Sequence, residues 1–266
     1  MNSVNKTMYI PLYGKAFVSQ KGLFLRDPKA EEIWEREGFP LKGKASSKWL
    51  AYYMGIRSAV FDDWLGDQLV KHPDAIVLHI GCGLDSRVLR VKHEGHHWYD
   101  LDFPVVIEER KQYYAEYESH TMIGSDLCAD GWLDTIPQTQ SALVVMEGVS
   151  MYIEPAKLQA ILAKIADHFT SAAFLIDVYS VFAAKMSKYK NPVNEVGVST
   201  VYGIDDPKSV ESEKLRFVGA REMTPRTYID QLEGMEKRIF QKLYAGKTAG
   251  KLYRLYEYQS KLRSLL

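Results

Sequence analysis

Short apolar runs alternate with helical segments through the middle of this chain. We predict β-strands at 75–80, 96–101, 120–124, 142–146 and 172–178, and amphipathic helices at 86–92, 104–117 and 154–169. Strands that alternate with helices form parallel βαβ units. The strands are apolar throughout, as strands are when helices cover both faces of their sheet. The pattern therefore predicts an α/β protein with a mostly parallel sheet and helices on both faces.

Both flanks of this region depart from the alternation. The pattern of residues 1–74 predicts a helical N-terminal extension, in which Asp27-Pro28 begins a helix. After the fifth strand the periodicity weakens over 180–209, which is typical of an insert that shapes or covers a binding site.

The C-terminal part completes the predicted fold. It contains a helix over 224–232, a strand at 237–244, and then at 247–266 either a helix or a helix followed by a last strand. We expect one domain, divided into a helical cap at 1–74, a cofactor-binding core at 75–180, a lid or substrate insert at 181–225 and a completing segment at 226–266.

Composition limits the classes of protein to consider. The 266 residues are 46% hydrophobic and 26% charged, as in an ordinary globular protein. The 34 basic and 34 acidic residues balance, so we expect no nucleic-acid partner. The apolar runs are too short to span a bilayer, and Cys82 and Cys128 form no metal-binding or disulfide pattern. We therefore expect a cytoplasmic protein with reduced thiols, no membrane association and no metal site.

Two glycines one residue apart, Gly81 and Gly83, follow the first predicted strand and precede a helix. Such a turn brings the backbone and the N–H groups of the helix close to a nucleotide-like ligand. A phosphate loop of the GxxxxGK[ST] type is absent, and Ser86 stands where a dinucleotide site has its third glycine. Asp85 adds a negative charge where a pyrophosphate would lie. These features favour S-adenosylmethionine over a dinucleotide.

Acidic residues follow the next three strands. Asp100 and Asp102 lie 17 and 19 residues after Gly83, at the spacing of an acid that binds ribose hydroxyls, although Asp102 can also cap the following helix. Asp126 is placed to bind adenine or simply to form a turn. Glu147 can face the ligand crevice or pair with a nearby Arg or Lys.

Four motifs in this order identify a family. They are Gly81-Cys82-Gly83-Leu84-Asp85-Ser86-Arg87, Trp98-Tyr99-Asp100-Leu101-Asp102-Phe103-Pro104, Gly124-Ser125-Asp126-Leu127 and Glu147-Gly148-Val149-Ser150-Met151-Tyr152. The chain resembles the leucine carboxyl methyltransferase family over roughly 7–180, and it is closest to a bacterial branch that methylates polyketides. The segments 10–16 and 25–28 match that branch as well.

The resemblance implies a class I methyltransferase fold of the Rossmann-like type, with S-adenosylmethionine as cofactor. It implies that Gly81, with Gly83, lies under the methionine part of the cofactor. Asp102 binds the ribose, with Asp100 as a competitor for this role. The remaining implied contacts are Asp126 and Leu127 to the adenine, Glu147 and Tyr152 at the methionine and methyl end, Arg57 to the cofactor carboxylate, and Lys15 as the match to an N-terminal lysine of some members.

The sequence favours a small molecule as the methyl acceptor. Members that methylate a protein C-terminus have Asp-Thr after the glycine motif, whereas this chain has Asp85-Ser86-Arg87. We expect transfer to a carboxylate or hydroxyl oxygen of a polyketide-like metabolite. An NAD(P)-binding oxidoreductase and a protein carboxyl methyltransferase are the alternatives. No catalytic base is identified, and the side chains considered as hydrogen-bonding partners of the acceptor are Tyr152, Tyr179, Tyr202, Arg87 and Arg221.

Overall fold

All five predicted apolar runs form parallel strands of one sheet. In the computed structural model, which describes residues 5–39, 41, 43–138, 141–190, 200–246 and 249–261, these strands are β1 (Ala75–Ile80), β2 (Trp98–Asp102), β3 (His120–Gly124), β4 (Ser141–Met146) and β5 (Ser171–Tyr179). Two later strands, β6 (Leu215–Arg221) and β7 (Tyr253–Ser260), complete the sheet in the order β3-β2-β1-β4-β5-β7-β6. β7 runs antiparallel to both β5 and β6.

The strand order reverses direction beside β1. The chain moves from β1 outward to β2 and β3, then returns to the other side of β1 to form β4 and β5. A crevice opens at such a reversal, outside the carboxyl ends of the strands, and ligands bind there in open α/β sheets. The topology therefore places a binding site at the ends of β1 and β4.

Helices cover both faces of the sheet. Those described are α1 (Tyr9–Gln20), α2 (Pro28–Glu37), α3 (Lys48–Lys71), α4 (Arg87–Arg90), α5 (Pro104–Arg110), α6 (Pro155–His168), α7 (Val181–Lys190), α8 (Arg226–Ile229), α9 (Gly234–Tyr244) and α10 (Ala249–Leu252). Short 3-10 turns lie at Asn5–Met8, Gly43–Ser46, Leu133–Thr135, Ser150–Tyr152 and Pro207–Val210. The predicted start of α2 is confirmed, because the Asp27 carboxylate caps it by accepting from the Ala30 N–H at 2.9 Å.

Alternate residues of the central strands enter different hydrophobic layers. Val77 of β1 packs in the layer that contains Trp64 of α3. Its neighbour Ile76 packs in the layer that contains Leu158 and Leu162 of α6. Both layers are buried, which explains why the strands are apolar on both faces.

The C-terminal half differs from the expected elements at several places. The predicted strand at 237–244 is wrong: this segment is α9, and its apolar residues Ile239, Phe240, Leu243 and Tyr244 have helical spacing. The edge strand β6 was not predicted, since it alternates in burial and carries charged residues. For 247–266, α10 followed by β7 agrees with the helix-plus-strand alternative, and α7 occupies part of the segment expected to be irregular.

Candidate functional site

A cavity of about 680 Å³ opens at the carboxyl ends of β1, β2, β3 and β4. This volume lies within the range of about 300–1,000 Å³ that small-molecule sites occupy. The glycine turn after β1 forms one part of its wall. The N-terminal segment contributes another part through the Asn5–Met8 turn, α1 and α3. The helical N-terminal residues therefore cover the crevice that the sheet topology creates.

The glycine turn has a conformation that excludes side chains. Gly81 has φ +68° and Gly83 has φ +48°, both in the left-handed region. A Cβ atom at Gly81 would lie 2.1 Å from Cγ2 of Val149, the residue two positions after Glu147. The Gly81 N–H donates to the Leu101 carbonyl at 2.7 Å, which ties the turn to the end of β2. Only glycine can therefore adopt this backbone conformation at position 81 without a clash with Val149.

Two predicted ribose-binding acids, Asp100 and Asp102, have different environments. The Asp102 carboxylate lines the cavity and accepts the Gly83 and Phe103 N–H groups at 2.8 and 2.7 Å. Burial raises its pKa, although these two hydrogen bonds oppose the rise. It does not cap α5, whose N-cap residue is Phe103.

Asp100 lies deeper and does not line the cavity. Its carboxylate accepts from Trp98 Nε1 at 2.9 Å and from Arg110 Nη2 at 2.6 Å, and it also contacts His79 and His120. Burial raises the pKa of Asp100, but the Arg110 charge and the histidine hydrogen bonds outweigh burial and hold it well below its ordinary range. The structure therefore directs Asp102, and not Asp100, into the site.

Asp126 and Leu127 line the end of the cavity beyond β3. Asp126 is exposed, and one of its carboxylate oxygens accepts the Cys128 N–H at 2.8 Å. Through this hydrogen bond Asp126 forms a turn, which is one of the two roles that its position in the sequence allows. The same residue borders the cavity, so the turn presents a carboxylate and neighbouring backbone groups to it.

Glu147 both lines the cavity and forms buried ion pairs. Its carboxylate contacts Arg57 Nε at 2.9 Å and also accepts from Arg87 Nη2. Burial alone would raise the pKa of Glu147, but the two guanidinium groups lower it to about 2. Arg57 extends from α3 and also contacts Asp177 at 3.3 Å and the Tyr253 hydroxyl at 2.7 Å. Its Nη2 atom makes no hydrogen bond with any described residue.

Lys15 reaches the glycine turn from α1. Its Nζ lies 3.3 Å from Asp85 Oδ2, and both side chains are buried. Arg87 and Arg90 also contact Asp85, at 3.4 and 2.9 Å. Burial raises the pKa of Asp85, but these cations outweigh burial and keep it well below its ordinary value. The negative charge of Asp85 is thus surrounded by three cations, which its position in the sequence did not reveal.

Aromatic side chains occupy the wall of the cavity near β5 and β7. Tyr152 and Tyr179 both line it. Tyr202, Arg87 and Arg221 are not among the lining residues: Tyr202 is partly exposed, Arg87 is buried among the ion pairs, and Arg221 pairs with Glu257 at 2.5 Å.

Sequence reasoning missed Tyr53, Tyr253 and Asp177 in this region. Asp177 had a usable signal, because it comes near the end of an apolar strand as Asp102 does. The two tyrosines had none, since isolated aromatic residues are common in cores.

Several other classes of site are not seen in the part of the chain that the structure describes. No group of three or more His, Cys, Asp or Glu side chains is arranged to hold a metal ion there. None of the described helices is long and apolar enough to cross a bilayer. Cys82 is buried and Cys128 exposed, and neither forms a disulfide. Burial raises the pKa of the Cys82 thiol well above its ordinary value, which suits a packing role rather than a nucleophile.

Comparison with known proteins decides the family. A model of the leucine carboxyl methyltransferase family matches residues 6–166. The chain belongs to this family. It is 31% identical, over 90% of each chain, to the tetracenomycin polyketide synthesis O-methyltransferase TcmP of Streptomyces glaucescens. It is 26% identical to the S-adenosyl-L-methionine-dependent methyltransferase dpfgK of Gibberella zeae, over 64% of this chain and 62% of that one.

Solved structures confirm the predicted class I methyltransferase fold. The plantazolicin methyltransferase BamL, in complex with a triazolic desmethylPZN analogue and S-adenosylhomocysteine, has a TM-score of 0.53 at 11% identity, and the match covers 98% of both chains. The magnesium protoporphyrin IX methyltransferase of Synechocystis has a TM-score of 0.51 at 11% identity, over 87% of this chain and 94% of that one. Together with the family, this fold makes the protein an S-adenosylmethionine-dependent methyltransferase.

Proposed function

We propose that this protein transfers the methyl group of S-adenosylmethionine to an oxygen atom of a small molecule of the polyketide class. One observation carries the proposal: a single cavity joins Gly81, Asp102, Asp126 and Glu147, which lie at or just after the ends of four successive strands, to a wall of aromatic side chains. The first group suits the cofactor, and the aromatic wall suits a flat apolar acceptor. The TcmP relative, by its name an O-methyltransferase of polyketide synthesis, supports the acceptor class.

The residues present fit the cofactor. Gly81 lines the cavity with backbone alone, so the methionine part of the cofactor can approach the turn closely. Nη2 of the buried Arg57, which makes no hydrogen bond with any described residue, can donate to the methionine carboxylate, and Lys15 lies close to the glycine turn. Asp102 would accept from the ribose hydroxyls.

The other predicted cofactor contacts lie at the two ends of the cavity. Asp126 and Leu127 would hold the adenine at one end, while Glu147 and Tyr152 would border the methyl end. Gly83 keeps Asp102 in position through its N–H.

When bound, the cofactor supplies a methyl group already activated on a positively charged sulfur. The protein therefore has to place an acceptor oxygen in line with this methyl and keep water away. Such placement contributes about 7–11 kcal/mol to lowering a reaction barrier. Ile10 and Met54 of the N-terminal helices line the cavity and exclude water from it.

We further propose that the chain is one domain, divided as the sequence predicts, and that the insert at 181–225 closes the acceptor end of the cavity. The Tyr202 N–H donates to the Met151 carbonyl at 2.8 Å, and the Ile204 N–H donates to the Tyr179 carbonyl at 2.7 Å. These bonds attach the end of the insert to the cavity wall. Residues 191–199 lie outside the described part. The free thiols of Cys82 and Cys128 favour action in the cytoplasm, and the balanced charge argues against a nucleic-acid partner.

A ligand panel tests the proposal. Thermal unfolding is measured with S-adenosylmethionine, S-adenosylhomocysteine, NAD⁺ and NADP⁺. Each ligand that binds is used at about one hundred times its dissociation constant. A ligand at this excess adds about 2.7 kcal/mol of stability, or a rise in Tm of about 5–10 °C for a chain of this size. We expect the rise with the two sulfur ligands alone. A rise with NAD⁺ or NADP⁺ and none with S-adenosylhomocysteine would overturn the proposal in favour of an oxidoreductase.

Transfer itself is followed with S-adenosylmethionine labelled in the methyl group. Flat aromatic acceptors that carry hydroxyl or carboxyl groups are compared with a peptide that has a free C-terminal leucine. We expect label in the small molecules. Label in the peptide alone would instead identify a protein carboxyl methyltransferase.

A further inference from the structure

Tyr53 lines the cavity from α3, one helical turn before Arg57. Residues four apart lie on the same face of a helix, so the two side chains project into the same region. The ring centroid of Tyr53 lies 5.9 Å from that of Tyr244 in α9 and 6.0 Å from that of Tyr253 in β7. Aromatic rings at these separations hold one another in place and form an apolar surface on which a planar ligand packs well.

The Tyr53 hydroxyl makes no hydrogen bond with any described residue. The neighbouring Tyr253 hydroxyl, in contrast, donates to Asp177 and accepts from Arg57. The Tyr53 hydroxyl is nevertheless withdrawn from water, since burial raises its pKa. Buried polar groups are nearly always hydrogen-bonded. A buried hydroxyl that lines a cavity and has no partner in the described protein therefore points to an atom of a ligand.

The ligand atom has to be one that accepts a hydrogen bond. Burial is the main cause of the raised pKa, and the negative charge of Asp177 adds to it while Arg57 opposes it. The hydroxyl thus stays protonated at neutral pH and has a proton to donate. Nη2 of Arg57 is a second donor in this region that no described residue engages. This part of the cavity therefore offers hydrogen bonds to oxygen atoms.

The position of Tyr53 assigns this contact to the methyl acceptor rather than to the cofactor. The predicted cofactor contacts of the sheet lie at the ends of β1 to β4, whereas the rings that pack on Tyr53 belong to α9 and β7. The hydroxyl is also close enough to Arg57 for that charge to act on its pKa. Arg57 in turn pairs with Glu147, at the predicted methyl end. The hydroxyl therefore lies where the aromatic wall meets the methyl end.

We propose that the Tyr53 hydroxyl donates a hydrogen bond to an oxygen of the group that receives the methyl, and thereby orients this group. The inference rests on the function proposed above and adds a residue that holds the acceptor. It applies to a carboxylate, in which one oxygen is held while the other faces the methyl, and equally to a hydroxyl oxygen. Tyr53 keeps its proton throughout, so it positions the acceptor without acting as a base.

Ligands with and without an oxygen atom test this contact. 2-Naphthoate, 2-naphthol and naphthalene are titrated by calorimetry into the complex with S-adenosylhomocysteine, for the wild type and for Tyr53→Phe. The variant should bind 2-naphthoate about tenfold or more weakly and 2-naphthol about threefold or more weakly, because a hydrogen bond to a charged group is the stronger one. Naphthalene has no oxygen, so its affinity should stay within twofold.

The three ligands separate a hydrogen bond from a change in packing. A loss for one oxygen ligand alone supports the inference and identifies the accepting group as a carboxylate or a hydroxyl. An equal loss for naphthalene would refute it, as would unchanged affinity for both oxygen ligands or failure of both to bind the wild type. Tenfold weaker binding of S-adenosylhomocysteine in Tyr53→Phe would place Tyr53 at the cofactor, which contradicts the inference but not the proposed function. Failure of the wild type to bind S-adenosylhomocysteine would overturn the proposed function itself.

Stability distinguishes Tyr53 from its neighbour in α3. Tyr53→Phe breaks no hydrogen bond among the described residues, so the urea midpoint should not fall. Tyr52→Phe is the matched control, because the Tyr52 hydroxyl donates to Glu236 Oε2 at 2.7 Å and Tyr52 does not line the cavity. This control should lower the urea midpoint while the affinity for 2-naphthoate stays within twofold.

The control can also contradict the inference. A loss of 2-naphthoate affinity in Tyr52→Phe as large as that in Tyr53→Phe would show a general effect on α3 rather than a contact of one hydroxyl. A larger fall of the urea midpoint in Tyr53→Phe than in Tyr52→Phe would show that the Tyr53 hydroxyl has a partner within the protein. Either result would overturn the assignment.

Discussion

Gly81→Ala should destabilise the protein through a defined steric conflict. The new Cβ would lie 2.1 Å from Val149 Cγ2, while the Cβ and Cγ1 atoms of Val149 are 3.3 and 3.5 Å away. Carbon atoms pack best at about 3.5–4.0 Å, so the main conflict is with one methyl group. The residue would also have to adopt φ +68°, which alanine rarely does.

These two effects set the size of the change. A left-handed conformation costs an alanine about 1–2 kcal/mol. Forcing an extra carbon into a packed site costs about 1–3 kcal/mol. Their sum, about 2–5 kcal/mol, is a large share of the 5–15 kcal/mol that typically stabilises a domain. We therefore expect a folded but weakened variant, in which the glycine turn is displaced and cofactor binding is impaired.

Unfolding in urea measures the stability, and calorimetry with S-adenosylhomocysteine measures the binding. Gly95→Ala isolates the backbone strain, because Gly95 has φ +89° and a Cβ atom there would meet nothing within 4 Å. Combining Gly81→Ala with Val149→Ala removes the conflicting methyl group. The double-mutant cycle should show that this pairing recovers about 1–3 kcal/mol. If Gly81→Ala cost no more than Gly95→Ala, or if Val149→Ala recovered nothing, the steric argument would be refuted.

Three further changes test other contacts of the site. Asp102→Asn should weaken S-adenosylhomocysteine binding about tenfold or more, since a hydrogen bond to a charged group is worth about 1.5–3 kcal/mol; unchanged affinity by calorimetry in a folded variant would exclude the ribose contact. Arg57→Ala should cost about 3–5 kcal/mol in urea unfolding, because it leaves Asp177 buried without its guanidinium partner and removes one of the two guanidinium partners of Glu147. It should also weaken cofactor binding, and a loss confined to acceptor affinity would place Arg57 on the acceptor side. Stability should fall as the pH drops from 4.5 towards about 2, because the folded-state pKa of Glu147 is depressed and protonation removes its ion pairs; Glu147→Gln should flatten this part of the stability curve, and a wild-type slope would contradict the assignment.

The central strands could be predicted from the sequence because the signal for them is local. A buried parallel strand needs apolar residues on both faces, and each of the five runs has them. The edge strand β6 has no such requirement: Leu215 is buried while Arg216 and Val218 are exposed. The segment of α9 is predicted as a strand although Ile239, Phe240, Leu243 and Tyr244 recur at helical spacing, because the period of so short an apolar segment is easily misassigned.

The sequence predicts which acidic residues lie near the site, but it does not predict which of Asp100 and Asp102 lines the cavity. Asp100 and Asp102 are two residues apart on one strand, so both side chains point to the same face. Their environments differ because Asp102 is the last residue of β2, at the carboxyl end of the sheet. Asp100 lies within the strand and pairs with Arg110. Strand ends are the least certain feature of a sequence-based prediction. The position of Tyr253 depends on its pairing with Tyr179 of β5, far away in the sequence, which local patterns do not encode.

The ion pairs at the glycine turn imply that the N-terminal helices and the cofactor site fold as one unit. Lys15 of α1 pairs with Asp85 of the turn, and Asp27, the cap of α2, lies 2.7 Å from Arg90. Asp62 of α3 contacts the same Arg90 at 2.8 Å. Removing one partner of a buried ion pair costs about 3–5 kcal/mol, because the other charge stays buried. The turn alone would thus carry unpaired charges, and any motion of these helices that opens the cavity must disturb the residues that hold the cofactor.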